Sequence, residues 1–148
     1  MPTRITRFLH SSTIAPDSVP VLGTSFSAAD VHAHDMTRFL PDFQRQGANY
    51  RGIVEGIHIE LASASSPTTV TIRLCSDAAG NVTLVPDVTA TLVAGIGAAA
   101  TKCAAFSVKL PIFQADGGPG NGTLYLFAHV DNATGNPEFK SSTITWME

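Results

Sequence analysis

The stretch Val31–Asp35, VHAHD, sets two histidines and a carboxylate within five residues of a chain that has five histidines in all. Imidazole and carboxylate are the usual ligands of zinc and other first-row metals, so His32, His34 and Asp35 are the weak metal candidates of this sequence. Whether they could share one ion depends on the local backbone. Along a strand, residues i and i+2 project to the same side; on a helix they stand about 200° apart and cannot meet. Helix signals surround them: Ser27 as N-cap with Asp30 three positions on, then Ala29, Ala33, Met36 and Leu40 as an apolar stripe stopped by Pro41. Asp30 suits the positive end of such a helix. The β-like TSFSA just upstream keeps the strand alternative open for residues 27–40. A metal enzyme also needs further ligands and an open position, and His10, His58 and His129 stand in contexts that do not supply them. The expectation is therefore a histidine pair satisfied at a surface or interface, with no metal or other cofactor; the alternative is that His34 and Arg38 are polar face residues of a helix, with Asp35 pairing Arg38 at i, i+3.

Other chemistry finds little support. Glu55 and Glu60 are the only carboxylates inside strand-like segments, and their odd spacing puts them on opposite sides of a regular strand, which does not make a catalytic acid pair. No GxSxG elbow, phosphate-cradling loop or dinucleotide fingerprint occurs. DGGPGNG occurs once, without the repeated aspartate of a calcium array, and reads as a surface loop. The sequons at Asn81, Asn121 and Asn132 fall in turns, where Asn and Thr are common for conformational reasons. The chain is not expected to be an enzyme.

The elements that would carry any site are strands. Ile57, Ile59 and Leu61 alternate with His58 and Glu60; Val70, Ile72 and Leu74 alternate with Thr71 and Arg73. VTLVP and VTATLV read as two short strands, the first ended by Pro86 and the second closed by AGIGAAA. Phe106, Val108, Leu110 and Ile112 alternate with Ser107 and Lys109, and Pro111 marks an edge or an end. TLYLFAHV is apolar on both faces, Leu124, Leu126, Ala128 and Val130 on one and Tyr125, Phe127 and His129 on the other, so it is a central strand covered twice, by sheets or by a neighbouring subunit. KSSTITW is the final strand. Six or seven strands joined by Gly, Pro, Asn and Asp predict an all-β jelly-roll or Greek-key β-sandwich over residues 51–148. Residues 1–50 read as an extended or partly helical N-terminal segment, its first part an arm. A sugar-binding module would show a row of exposed aromatics. Tyr125, Phe127 and Trp146 are the candidates, but their strands look internal and core packing accounts for them.

With 148 residues the chain is one domain able to bury a core. Charged residues make up 14%, against roughly 25% in ordinary globular proteins. Either another chain covers part of the surface, or Thr, Ser, Asn and Gly keep it wet. A net charge of −3 with nine scattered Lys and Arg offers no basic stripe for nucleic acid or anionic lipid. No apolar run reaches the roughly 18 residues of a membrane span. The opening MPTRITRFLH lacks the apolar segment of a signal peptide, so secretion is not expected and Cys75 and Cys103 are expected to be reduced.

Taken together, TVTIRLCSDAAGNVTLVPDVTATL from Thr69 to Leu92, FSVKLPI, and GTLYLFAHVDNATGNPEFKSSTITW resemble small β-sandwich decoration or cement proteins on the heads of tailed bacteriophages. The resemblance covers roughly residues 50–148 and lies in strand rhythm and phrases such as SDAAGN and TLYLFAHVD; the N-terminal third departs from it. It implies a jelly-roll homotrimer that binds between major capsid proteins and stabilises the head, made in the host cytoplasm and located on the virion. It implies neither nucleic acid nor membrane nor a small-molecule ligand as partner. The interface residues expected on this reading are Thr3, Ile5 and Phe8 in the arm, and Tyr125, Phe127 and His129 on the second face of TLYLFAHV. A carbohydrate-binding β-sandwich module on a virion or cell surface is the alternative.

Overall fold

The computed structural model describes residues 9–35, 50–114 and 123–147. They form nine strands: β1 Leu9–Ile14, β2 His32–Asp35, β3 Tyr50–Ala62, β4 Thr69–Cys75, β5 Val88–Thr91, β6 Val93–Gly95, β7 Ala98–Gln114, β8 Thr123–Val130 and β9 Glu138–Met147. One sheet has the order β1-β9-β3-β7-β6 and the other β2-β8-β4-β5, with antiparallel pairing throughout. The pairs β1–β9, β2–β8, β3–β7 and β4–β5 are the rungs of one long hairpin, and wrapping that hairpin sends its rungs alternately into the two sheets. This is jelly-roll topology, with β6 added at an edge. The all-β sandwich expected from the alternating pattern is what forms.

Each sheet turns one face inward. Val54, Ile57, Ile59 and Leu61 of β3, Ala104, Phe106, Val108 and Leu110 of β7, and Phe139, Ile144 and Trp146 of β9 meet Val70, Ile72 and Leu74 of β4 and Leu124, Leu126, Ala128 and Val130 of β8. Each large apolar side chain buried there contributes about 1.5–3 kcal/mol, which is why the period-two pattern fixes strand register. Leu92 is buried between β5 and β6, where the chain leaves one sheet for the other. The single strand expected over VTATLV is thus two strands, one in each sheet.

Three further expectations are corrected. Residues 82–87 form no strand: the segment is a loop joined to β4 by the Cys75–Thr83 bridge. Only Ala28–Asp30 is helical, a single 3-10 turn in which Ser27 Oγ accepts from the Ala29 N–H at 3.3 Å; Val31 is already extended (φ −86°, ψ 134°). The expected helix from Ser27 therefore does not propagate through His32–Asp35, because β2 pairs with β8, His32 opposite Leu126 and His34 opposite Leu124. Met36, Arg38, Leu40 and Pro41 lie outside the described residues. Finally, the register shift between Val54 and Gly56 is a β-bulge. One extra residue reverses the alternation, so Glu55 and Glu60 share the outer face instead of facing opposite ways.

That outer face explains part of the charge deficit. Thr13 and Thr143 join hydroxyls at 2.9 Å, Thr145 Oγ1 donates to the Gly56 carbonyl at 3.2 Å, and Ser141 Oγ donates to Glu60 at 3.3 Å. Glu55 pairs with Lys109 and Glu60 with Lys140. Hydroxyls supply the polar groups that charges supply on other surfaces.

Candidate functional site

Two places gather side chains with chemistry. The first is the inner side of β2. Because β2 is a strand, His32 and His34 point the same way, inward, and are 2% and 0% exposed. His34 Nδ1 is 3.0 Å from Ser12 Oγ on β1, and its Nε2 is 2.8 Å from Ser142 Oγ on β9. Ser142 Oγ is also 2.6 Å from His32 Nδ1. The His32 ring stacks on Phe139 with centroids 3.7 Å apart and planes 2° from parallel. Its Nε2 is buried with no partner at hydrogen-bonding distance. Burial holds both imidazoles well below their ordinary value, at about 4. The Phe139 backbone opposes this for His32, and the neighbouring His32 adds to it for His34.

The strand geometry that would let two histidines share a metal is therefore present, but serines take three of the four ring nitrogens. Among the described residues no group of three potential metal ligands comes together. Sequence reasoning placed a satisfied histidine pair at a surface or interface; it is buried inside the sandwich. Its partners Ser12 and Ser142 are 22 and 108 residues from His34. Nothing local points to them.

The second place is the outer face of the other sheet. There β8 presents Tyr125, Phe127 and His129, aligned across β4 with Cys75, Arg73 and Thr71. Phe127 is 2% exposed, and what covers it is the chain's own loop after β4: a Cβ on Gly80 would stand 3.2 Å from Phe127 Cζ. Asp77 shapes that loop by accepting from the Asn81 and Val82 N–H groups at 3.0 and 2.8 Å. Gly80 supplies the left-handed φ of +78° that the turn needs.

Phe26, from the segment before the 3-10 turn, lies over the same face. His129 meets it edge-on at 4.5 Å, and the Arg73 guanidinium sits 4.2 Å from its centroid. Asp87 grips that guanidinium with two bonds of 2.9 and 2.8 Å. The pairing raises the arginine's proton affinity and lowers the aspartate's. Between the two loops is an open concavity of about 220 Å³, walled by Phe26, Ser27, Arg73 and Asn81 and floored by Phe127.

Of the expected interface residues, Phe127 is thus covered within the chain, while Tyr125 and His129 are half-buried. Thr3, Ile5 and Phe8 lie outside the described residues. Trp146 is fully buried in the core and is no platform for a ligand. Cys75 and Cys103 are free thiols, both made harder to ionise by burial.

No protein-family model matches the chain, and no curated protein matches it. Among solved structures it is similar to a CBM35 from Cellvibrio japonicus Abf62, at 12% identity over 91% of this chain and 92% of that one, with a TM-score of 0.42. It is also similar to the Tobacco streak virus coat protein, at 8% identity over 94% of this chain and 83% of that one, TM-score 0.37. A family two carbohydrate esterase from Cellvibrio japonicus aligns at 9% identity over 96% of this chain and 33% of that one, TM-score 0.28.

Proposed function

We propose that this chain is a non-enzymatic structural protein of a virus particle, a jelly-roll subunit that decorates a capsid by binding between major capsid proteins as a homotrimer. The observation that supports this best is the hairpin formed by β6 and the start of β7. Residues 93–100, VAGIGAAA, are all exposed and carry no charge; Val93 is 66% exposed and Ile96, at the tip, fully so. An uncharged sheet edge ending in an aliphatic residue, without the lysine or proline that normally blunts an edge, is suited to being covered by another protein. Jelly rolls serve both viral capsids and lectins, an analogy of fold that leaves the choice to the surface. Cementing would bury surface that exists only in the assembled shell and stabilise the shell by mass action.

The test is a native mass spectrum of the chain purified without chelator, beside the variant Ile96→Lys. A metal-free trimer that the variant weakens, with its denaturation midpoint unchanged, supports the reading. A strict monomer at every concentration, or a trimer indifferent to Ile96→Lys, removes the role given to the hairpin.

The alternative, a sugar-binding module on a virion or cell surface, is favoured by the concavity beside Phe26. An arginine held in place by Asp87, an asparagine and the half-buried Phe26 ring are the groups that meet hydroxyls and the apolar face of a sugar ring. A glycan array without hits, or hits undisturbed by Arg73→Ala, would dispose of it.

A further inference from the structure

We infer that Ser12, His34, Ser142 and His32 form a proton-operated latch between the two sheets, which takes one proton without breaking and releases β2 from β1 and β9 when it takes a second. β1 and β2 are the edge strands at the same side of the sandwich, and β2 is only four residues long, with β8 as its one ladder partner among the described residues. The serine–histidine chain is what ties this short edge across to the opposite sheet.

The hydrogen-bond inventory explains why the second proton matters. With both imidazoles neutral, each ring has one donor and one acceptor. The chain can then run one way throughout: Ser12 O–H donates to His34 Nδ1, His34 Nε2–H to Ser142 Oγ, and Ser142 O–H to His32 Nδ1, leaving Nε2–H on His32. A proton added at His32 Nδ1 reverses every bond: His32 Nδ1–H donates to Ser142, Ser142 to His34 Nε2, and His34 Nδ1–H to Ser12. All three contacts survive. A second proton, on His34 Nε2, leaves two N–H groups facing Ser142 Oγ, and the Ser142 hydroxyl proton then has no acceptor in the chain. Two buried cations would share one serine.

Among the described residues the Phe139 backbone, which favours a proton on His32, is the one source of relief. β8 offers Leu124 and Leu126 opposite the two histidines, and β9 offers Phe139, Ile144 and Trp146 beside Ser142. From β1 comes Ser12. The nearest acids along the chain are Asp35, next to His34 at the end of β2, Asp30, buried just before β2 with its carboxyl pushed up by desolvation, and half-buried Glu138 beside Phe139 on β9. Neither Asp30 nor Glu138 is among the causes that set the two imidazoles: burial lowers both, the Phe139 backbone partly opposes this for His32, and the neighbouring His32 lowers His34 further.

The sign follows from the depressed imidazoles. In the released state they titrate near 6.5; in the closed state they sit at about 4. Closure is at full strength above about pH 6.5, weakens as pH falls from there towards 4, and is flat below. At pH 5 release is favoured about 27-fold per histidine relative to pH 7.5, and up to about 700-fold for the pair.

Amide hydrogen exchange followed by mass spectrometry, corrected for the intrinsic pH dependence, tests this on the full chain at pH 7.5 and pH 5, beside the non-titrating variants His32→Gln and His34→Gln. The expected result is a loss of protection of about 30-fold or more on acidification in β1, in β2 and in the β8 amides that pair with β2, with β4 and β7 unchanged and the loss smaller in each variant. Equal protection at the two pH values overturns the latch. So does a loss spread evenly over all strands, which is global acid unfolding. If the variants fold poorly, proton NMR of the imidazole C–H signals in the wild-type chain decides: two histidines titrating near 4 support the latch, and all titrating near 6.5 overturn it.

Discussion

The burial of Phe127 under the chain's own loop makes a quantitative prediction about whether this residue belongs to a core or to an interface. Truncating it to alanine removes a ring that is 2% exposed and on which the Gly80 backbone rests. Phe→Ala in cores costs 3–5 kcal/mol, and the low end applies because one wall of the cavity is a loop free to settle: about 3 kcal/mol. That is a substantial part of the 5–15 kcal/mol typical of a domain. It should lower Tm by about 6–12 °C for a chain of this size. Urea denaturation read by Trp146 fluorescence should show a lower midpoint with an unchanged m-value. Gly80→Ala adds an independent check. Its left-handed φ of +78° costs about 1 kcal/mol with a Cβ, and the 3.2 Å approach to the ring adds a steric part. In the Phe127→Ala background the steric part vanishes while the φ part remains, so the two substitutions should be less than additive by about 0.5–1 kcal/mol. A Phe127→Ala protein that keeps its stability within about 0.5 kcal/mol but changes its assembly state would refute the reasoning and return this face to an interface.

Asp131 accepts from the Thr68 and Thr69 N–H groups at 2.9 and 3.1 Å and from the Thr68 hydroxyl at 2.5 Å, pinning the end of β8 to the start of β4. These bonds, led by the hydroxyl, hold its carboxyl down at about 2. Its contribution is therefore present above the unfolded value near 4 and lost as pH falls towards 2; at this exposed site Asp131→Ala should cost about 1 kcal/mol at pH 7 and nothing near pH 1.5, measured by paired urea melts. Arg73→Lys keeps the charge but gives up the two-pronged grip on Asp87 and the planar stack on Phe26. It should cost under about 1 kcal/mol while loosening Phe26, seen as faster exchange of the amides near residue 26; an unchanged exchange rate there would show that the stack does not position that segment.

The parts legible in the sequence are those whose physics is local. In β3, β4, β8 and β9 alternate residues are buried over long runs, so the pattern carries both the strand and its inward face. β2 was not legible in the same way. Four residues are too few for a period to stand out, and the Ser27 cap is real but serves only one 3-10 turn. The bulge at Val54–Gly56 escapes because an extra residue leaves no mark beyond a glycine, and it reverses the faces inferred for Glu55 and Glu60. The histidine pair was visible as a motif, yet its meaning depends on Ser12 and Ser142, which only the topology brings to it. Phe127 looked like one half of an interface because a doubly apolar strand reads the same whether a loop or another subunit covers it.

The position of β9 between β1 and β3 has a consequence for how the molecule is made. Thr13 and Thr143 lie 130 residues apart, and closing a loop of that length costs about 4 kcal/mol in chain entropy before any contact repays it. Such non-local pairing places folding in the millisecond-to-second range. Until β9 docks, β1 has no ladder partner and β3 shows an open edge along most of its length, a template for pairing with other chains. Newly made chains at high concentration are therefore most prone to aggregate in that interval, and a synthetic peptide carrying Phe139, Ile144 and Trp146 in the β9 register should compete for the vacant slot.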